Sequence, residues 1–347
     1  MKAWLTRVAV VMLAVVFVAS GCAPKPAAPA EHEKVNLEIY STSAAGTPPY
    51  EYATILAAML NELHPWLRGT PLETMGSVDA IHTTDALPLD RKKHVFLPIT
   101  FTVSQMQAWL GVPPYKRQFT DLKLLAVFGQ NGLAFATCDP NIKTPHDLVG
   151  KRLGFGPKVS APYPLAEAIL RDAWGILNQV KISEHKPPDL KDIMFSGVAD
   201  AIYALPETRT GGKWKWEPAF YVRQIIGARK TYWVGLSPED VKRINEKNPW
   251  DVAHLVMPKG VLGEDNPPTD VGLASPQNYF IAWDVADDEV VYELIRFLDE
   301  NAAEWEKRTR GVPGGARAMG AFRGMTEDKV HPAALRYYKE KVIQIGG

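Results

Sequence analysis

Cysteine is nearly missing from this chain: Cys22 and Cys138 are its two thiols. With Cys22 taken up by N-terminal processing, no intrachain disulfide can form, and the folded part must be held by its core. An excess of either charge is missing too. Thirty-nine Lys and Arg face 39 Asp and Glu, so nothing supplies the basic face that nucleic-acid binding needs. The apolar stretch VAVVMLAVVFV falls short of a comfortable membrane span of roughly 20 residues, and Pro24, Pro26 and Pro29 follow it closely. The usual catalytic patterns are absent as well: no Gly-x-Ser-x-Gly, no Cys–His pairing and no phosphate loop. In GKRLGFG the expected strand lies between Gly150 and Gly156 and not before them, which is not the order of a dinucleotide fingerprint. Asp79 and His82 stand three apart on an expected helix with Asp85 following. That spacing brings no further ligand, so a solvated helix face is favoured over a metal site. These absences argue against an enzyme, a metal and a cofactor.

What is present begins with Lys2 and Arg7 flanking the apolar stretch, followed by ASGC. A basic segment, an apolar segment and small residues are the order of an export signal. Ser20 and Gly21 before Cys22 resemble the lipobox of a bacterial lipoprotein, with Ala19 where leucine is more usual. The expectation is a signal peptide over 1–21, a lipid on Cys22 and a flexible linker over 22–35, holding a periplasmic domain at a membrane surface. About 310 residues remain, more than one core usually organises, which argues for two lobes.

Along those residues the pattern alternates. VNLEIYST reads as a strand, YEYATILAAMLNELHPWL as an amphipathic helix, TPLETMG as a short strand, SVDAIHTTDALPLDR as a helix behind Ser77, and HVFLPITFT as a strand. LKLLAVFG and GLAFATC are further strands. KTPHDLVGKRLGFGP predicts a short helix with Thr144 as N-cap and Pro145 at its first position, then a strand. PLAEAILRDAWGI, PEDVKRINEKN and DDEVVYELIRFLDENAAEWEKRTR read as helices, and VKISEHK and NYFIAWDV as strands. Strands separated by helices imply an α/β fold with mostly parallel sheets and right-handed crossovers.

In such folds ligands sit beyond the carboxyl ends of strands, where helix N-termini point. The turn STSAAGTPPYEY leaves a strand near Tyr40 and enters a helix near Tyr50. Free backbone N–H groups and the helix dipole there would favour an anion, typically a carboxylate. GFGPKVSAPYPLAEAIL repeats that layout, so two facing turns would make a cleft.

The order of these segments resembles the periplasmic solute-binding subunit of TRAP transporters of the TAXI family. DEVVYELIRFLDENAAEW followed by VHPAALRYYKEK is similar to that family's long helix and its closing His-Pro-Gly-Ala-Tyr-Tyr-Lys-Glu signature. PTDVGLASPQNYFIAWDVADD resembles the return to the first lobe. TPHDLVGKRLGFGP and FSGVADAIYAL resemble the opening block and strand entry of the second. The resemblance runs from about Leu37 to the end. It implies a two-lobed type II periplasmic binding protein, a mixed, mostly parallel sheet in each lobe and a hinge between them. Lobe I would span 36–130 and 265–347, and lobe II 131–264. It also implies a small carboxylate-type solute, cleft closure and delivery to an ion-coupled TRAP membrane permease.

Carried over position by position, the ligand-binding candidates are Ser41, Thr42, Ser43, Thr47 and Tyr50 in the first turn, Ser77 at the next helix start and Thr100 after the third strand. Ser160, Tyr163 and Tyr203 belong to the second lobe. The departures bear on the ligand. Ala44-Ala45 replace the family's Gly-Gly, LPITFT stands in place of Gln-Ser-Asp, and KVSAPYPLAE in place of Gly-Ser-Gly-Thr-Glu. Each change adds bulk or proline, so an aromatic or otherwise less polar acid replaces glutamate as the expected solute. Trp109, Trp174, Trp233 and Trp283 are expected in the core. The other reading is a lipid-anchored sensory domain that uses the same cleft to recruit a receptor kinase.

Overall fold

The computed structural model describes residues 32–207 and 216–346. The expected signal peptide and Cys22 lie outside them. One compact unit runs from Lys34 to the C-terminus. It opens with β1 (Val35–Tyr40), α1 (Pro48–Leu63), β2 (Leu67–Leu72), α2 (Ser77–Asp85), α3 (Leu89–Lys92), β3 (Val95–Phe101), α4 (Thr102–Leu110) and β4 (Leu122–Gln130). There follow β5 (Gly132–Thr137), β6 (Arg152–Phe155), α5 (Pro162–Ala168), β7 (Lys181–Glu184), α6 (Leu190–Phe195), β8 (Ala201–Glu207), α7 (Phe220–Ala228), β9 (Tyr232–Val234), α8 (Pro238–Lys247), β10 (Ala253–Met257) and β11 (Val271–Ser275). The chain closes with β12 (Gln277–Trp283), α9 (Asp288–Glu300), α10 (Ala302–Arg308), α11 (Ala316–Met319) and α12 (Pro332–Glu340).

The strands form two sheets, one ordered β2-β1-β3-β12-β4 and the other β10-β11-β5-β8-β6-β7, with β9 beside β5. This is the expected two-lobed α/β architecture. Its pairing is more mixed than the alternation implied. β1 runs parallel to β2 and β3, and β6 to β7 and β8, where helices provide the crossovers. β12 is antiparallel to β3 and β4, and β5 to β8, β9 and β11, because at these strands the chain returns from the other direction. β11 hydrogen-bonds within the second sheet. The return to the first sheet therefore falls at Pro276, later than position 265.

Local chemistry accounts for the helices. In α1, Tyr52, Ala53, Leu56, Ala57, Met59 and Leu60 recur at helical spacing and are buried against the first sheet. α9 starts where the Asp287 carboxylate accepts from the N–H groups of Glu289 and Val290, at 2.9 and 3.1 Å. In α12 the His331 imidazole accepts from the Ala333 N–H at 3.3 Å. β4, β5, β8 and β12 are buried almost end to end, the pattern of strands covered on both faces. Of the tryptophans expected in the core, Trp109, Trp233 and Trp283 are buried, and Trp174 is half-buried against it. Trp109 donates to Leu122 O and Trp233 to Asn266 Oδ1, both at 2.9 Å.

Where the chain changes lobe, two stretches run side by side. The Asn131 N–H donates to Pro276 O at 3.1 Å, and Asn131 Nδ2 to Asn278 Oδ1 at 2.6 Å. Arg323 closes over both, donating to Gln130 Oε1 at 3.1 Å and Ser275 O at 3.0 Å, with Asp251 of the second lobe 3.4 Å away.

Candidate functional site

Between the two sheets lies a cavity of about 60 Å³. Thr42, Ser43 and Thr47 of the β1–α1 turn line it from the first lobe, with Pro48, Pro49 and Tyr52 of α1 behind them. Ser160 and Pro162 of the β6–α5 turn, Tyr203 of β8 and Phe220 and Tyr221 of α7 line it from the second. Asn131 reaches it from the crossover. Among the described residues, none of the side chains lining it is charged.

The lobes meet around it. Gly76, just before α2, packs on the backbone of Val159 in the second-lobe turn, and the Val78 N–H points at Val159 O from 3.4 Å. α4 packs on α5. In an adjoining pocket of about 250 Å³, which shares Thr47, Pro48 and Phe220 with the cavity, Arg310 of the first lobe pairs with Glu217 of the second at 3.0 Å and with Glu51 of α1 at 3.2 Å. A second adjoining pocket, of about 200 Å³, shares Ser160 with the cavity and carries Lys158, Tyr163 and Glu167.

Five of the ten candidate residues therefore line the cavity: Thr42, Ser43, Thr47, Ser160 and Tyr203. Tyr50 and Tyr163 line the two adjoining pockets. Ser41, Ser77 and Thr100 are fully buried but do not line it. Ser41 Oγ donates to Ser43 O at 2.6 Å, which folds the turn on itself. Tyr52, Phe101, Asn131, Phe220 and Tyr221 line the cavity without having been singled out from the sequence.

The first turn is a poorer anion site than its composition implied. α1 begins with Pro48 and Pro49 at its first two positions, and neither has an N–H to offer. Thr47 Oγ1 is occupied by Ala44 O at 2.6 Å, and the Ala45 N–H by Glu73 Oε1 at 2.9 Å. The second turn is likewise proline-broken, and its Tyr163 N–H is directed at Ser160 O.

Across the cavity the second lobe keeps hydroxyls in reserve. The Ser160 and Tyr221 oxygens are buried and make no well-aligned hydrogen bond, with the Tyr203 hydroxyl beside the first and the Leu205 backbone beside the second. The Tyr203 hydroxyl stands beside Ser160 and Gly156. Burial pushes Tyr203 up to about 12 and, together with neighbouring Tyr203, carries Tyr221 well above the ordinary tyrosine range. Both remain neutral donors at any physiological pH. Gly156 makes room for this group: a Cβ there would stand 2.2 Å from the Tyr203 oxygen and 3.1 Å from Ser160 Oγ.

Asp79, His82 and Asp85 are separately engaged. Asp79 accepts from the Met75 N–H, His82 packs on Tyr115 and Phe119, and Asp85 pairs with Lys92 and Arg117. Among the described residues no helix is long and apolar enough to cross a membrane.

A protein-family model, described as the NMT1-like family, matches residues 41–341. The chain belongs to the NMT1-like family. A search of curated proteins gives this NMT1-like protein no match. Among solved structures it is similar to the periplasmic binding protein BugD, at 14% identity, TM-score 0.52, and 88% and 94% coverage of the two chains. It is also similar to MatC from Rhodopseudomonas palustris with bound malate, at 11% identity, TM-score 0.51, and 89% and 97% coverage. The fold of this NMT1-like protein is thus that of periplasmic solute-binding proteins.

Proposed function

We propose that this protein is the extracytoplasmic solute-binding subunit of a TRAP-type transporter, which captures a small carboxylate-type solute by lobe closure and delivers it to an ion-coupled membrane permease. The observation that carries this reading is the enclosed cavity between two lobes joined side by side at Asn131 and Pro276. A cavity walled by both lobes gives a ligand differential affinity for the closed state, which is what drives hinge closure. The malate named with the MatC structure supports an organic acid as the class of solute.

The uncharged side chains that line the cavity among the described residues and the prolines at both turns support an acid less polar than glutamate. The reading includes a lipid on Cys22 that tethers the periplasmic domain, with the permease meeting the rims of both lobes. Thermal-shift screening of organic acids tests solute capture. Crosslinking to the permease should be stronger with ligand than without, and equal yields would count against docking of the closed form. A Cys22→Ser protein should move from the membrane to the soluble fraction; retention at the membrane would remove the lipid from the account.

A further inference from the structure

The two sides of the cavity are unlike. The first lobe presents Pro48, Pro49, Tyr52 and Phe101, and the paired prolines leave the start of α1 without N–H donors. The second lobe presents Ser160, Tyr203 and Tyr221, each more than nine-tenths buried. Two of these three hydroxyls, those of Ser160 and Tyr221, make no well-aligned hydrogen bond although Tyr203 and the Leu205 backbone stand beside them, and Gly156 holds open the space that Ser160 and Tyr203 use. A buried hydroxyl whose bonding is incomplete lowers the stability of a folded chain. Two in one cavity, beside a third, make a donor set that an incoming acceptor would complete.

We propose that the Ser160–Tyr203–Tyr221 cluster is the polar subsite of the cavity and holds one carboxylate, while Pro48, Pro49, Tyr52 and Phe101 receive an apolar remainder. The solute is a small monocarboxylate with an apolar body, and dicarboxylates and amino acids are rejected. This rests on the solute-capture reading above. A carboxylate accepts several O–H donors at once, and such charge-assisted bonds are roughly twice as strong as neutral ones. A second carboxylate or an ammonium group would find neither an opposite charge among the described lining residues nor hydroxyl donors left to hold it, which costs more than the remaining contacts return. Glu51, Arg223 and Arg310 in one adjoining pocket and Lys158 and Glu167 in another lie outside the cavity lining. The volume of about 60 Å³ also favours a short acid.

The test is calorimetric titration of the purified protein with monocarboxylates from acetate to phenylacetate, their amides, succinate and glutamate. A monocarboxylate should bind at least about tenfold more tightly than its amide, succinate or glutamate. Ser160→Ala and Tyr221→Phe should each weaken it by roughly ten- to a hundredfold. Tyr221→Phe should melt close to the wild-type temperature, since the hydroxyl it removes makes no well-aligned hydrogen bond; a merely structural Tyr221 would give a lower melting temperature and unchanged affinity. Equal or tighter binding of succinate, glutamate or an amide overturns the proposal, as do variants that bind like the wild type. If a neutral or multiply charged compound from a broad metabolite panel binds instead, this inference fails and solute capture stands. If nothing in the panel raises the melting temperature, both fail.

Discussion

Gly76→Ala is the sharpest probe of closure, because it adds one methyl group at a point where the lobes touch. The backbone at Gly76 is extended, with φ 165° and ψ 176°, so alanine meets no conformational penalty there. What it meets is the opposite lobe. Its Cβ would stand 2.2 Å from Val159 O, 2.8 Å from Val159 C and 3.1 Å from Ser160 Cα, leaving the first contact roughly 1 Å short of van der Waals distance. Backbone atoms cannot swing aside as a side chain would, so the strain is relieved by parting the lobes. Overpacking of this kind costs about 1–3 kcal/mol, and only in the closed form. The closed population should fall roughly 5- to 150-fold relative to the open one, and the apparent Kd for the solute should rise by a similar factor. Titration calorimetry with the solute that binds the wild type gives the affinity. Small-angle X-ray scattering should show a larger radius of gyration for the variant at sub-saturating ligand. Wild-type affinity with a wild-type radius would refute the view that Gly76 sits at a closure contact.

Other expectations follow from the same geometry. Arg323→Met removes the donors to Gln130 Oε1 and Ser275 O at the crossovers and should lower stability by about 2 kcal/mol in urea unfolding; an unchanged midpoint would remove Arg323 from the hinge. Arg310→Ala breaks exposed pairs with Glu51 and Glu217, so its cost should stay below about 1 kcal/mol and vanish at high salt, as melting curves with and without added NaCl would register. Burial holds the His331 imidazole below the ordinary histidine range, and it does the same to His64 against the opposing pull of Glu293. The unfolded chain takes up these protons near pH 6.5 while the folded one resists. The stability they contribute is therefore complete above about pH 6.5 and is lost as the pH falls toward their depressed folded values, with a slope of at most about 1.4 kcal/mol per pH unit for each. Melting temperatures between pH 7.5 and 5.5 should fall on acidification, and a rise would contradict that sign.

The elements that the sequence announced are those with local punctuation. α1 begins on the prolines at 48 and 49, α8 has Ser237 and Asp240 in a reciprocal cap, and α12 is capped by His331 and begins on Pro332. α4 was not foreseen because Thr102 continues directly from β3 with no breaker between them. α7 was not foreseen either: FYVRQIIGA is rich in aromatic and β-branched residues that favour strands in isolation, and packing overrides that preference. Missing α7 also hid Tyr221. Assignment of β11 to the second sheet depends on its pairing with β5 and β10, a long-range contact that no local pattern encodes. At the cavity, turn composition picked out the two turns that line it. It did not reveal that the first turn's hydroxyls and amides are taken up within the turn, since that depends on the partners at Ala44 and Glu73.

The stitched pair of crossovers has a practical consequence. With Asn131 bound to Pro276 and Arg323 spanning both stretches, the proposed closure would be close to a single swing, like tweezers joined at one end. Displacement would then grow with distance from the joint, so dyes placed on the outer rims would report occupancy more strongly than dyes near the cavity. Lys158 of the second lobe is a suitable attachment point: it is well exposed and lines an adjoining pocket without lining the cavity itself.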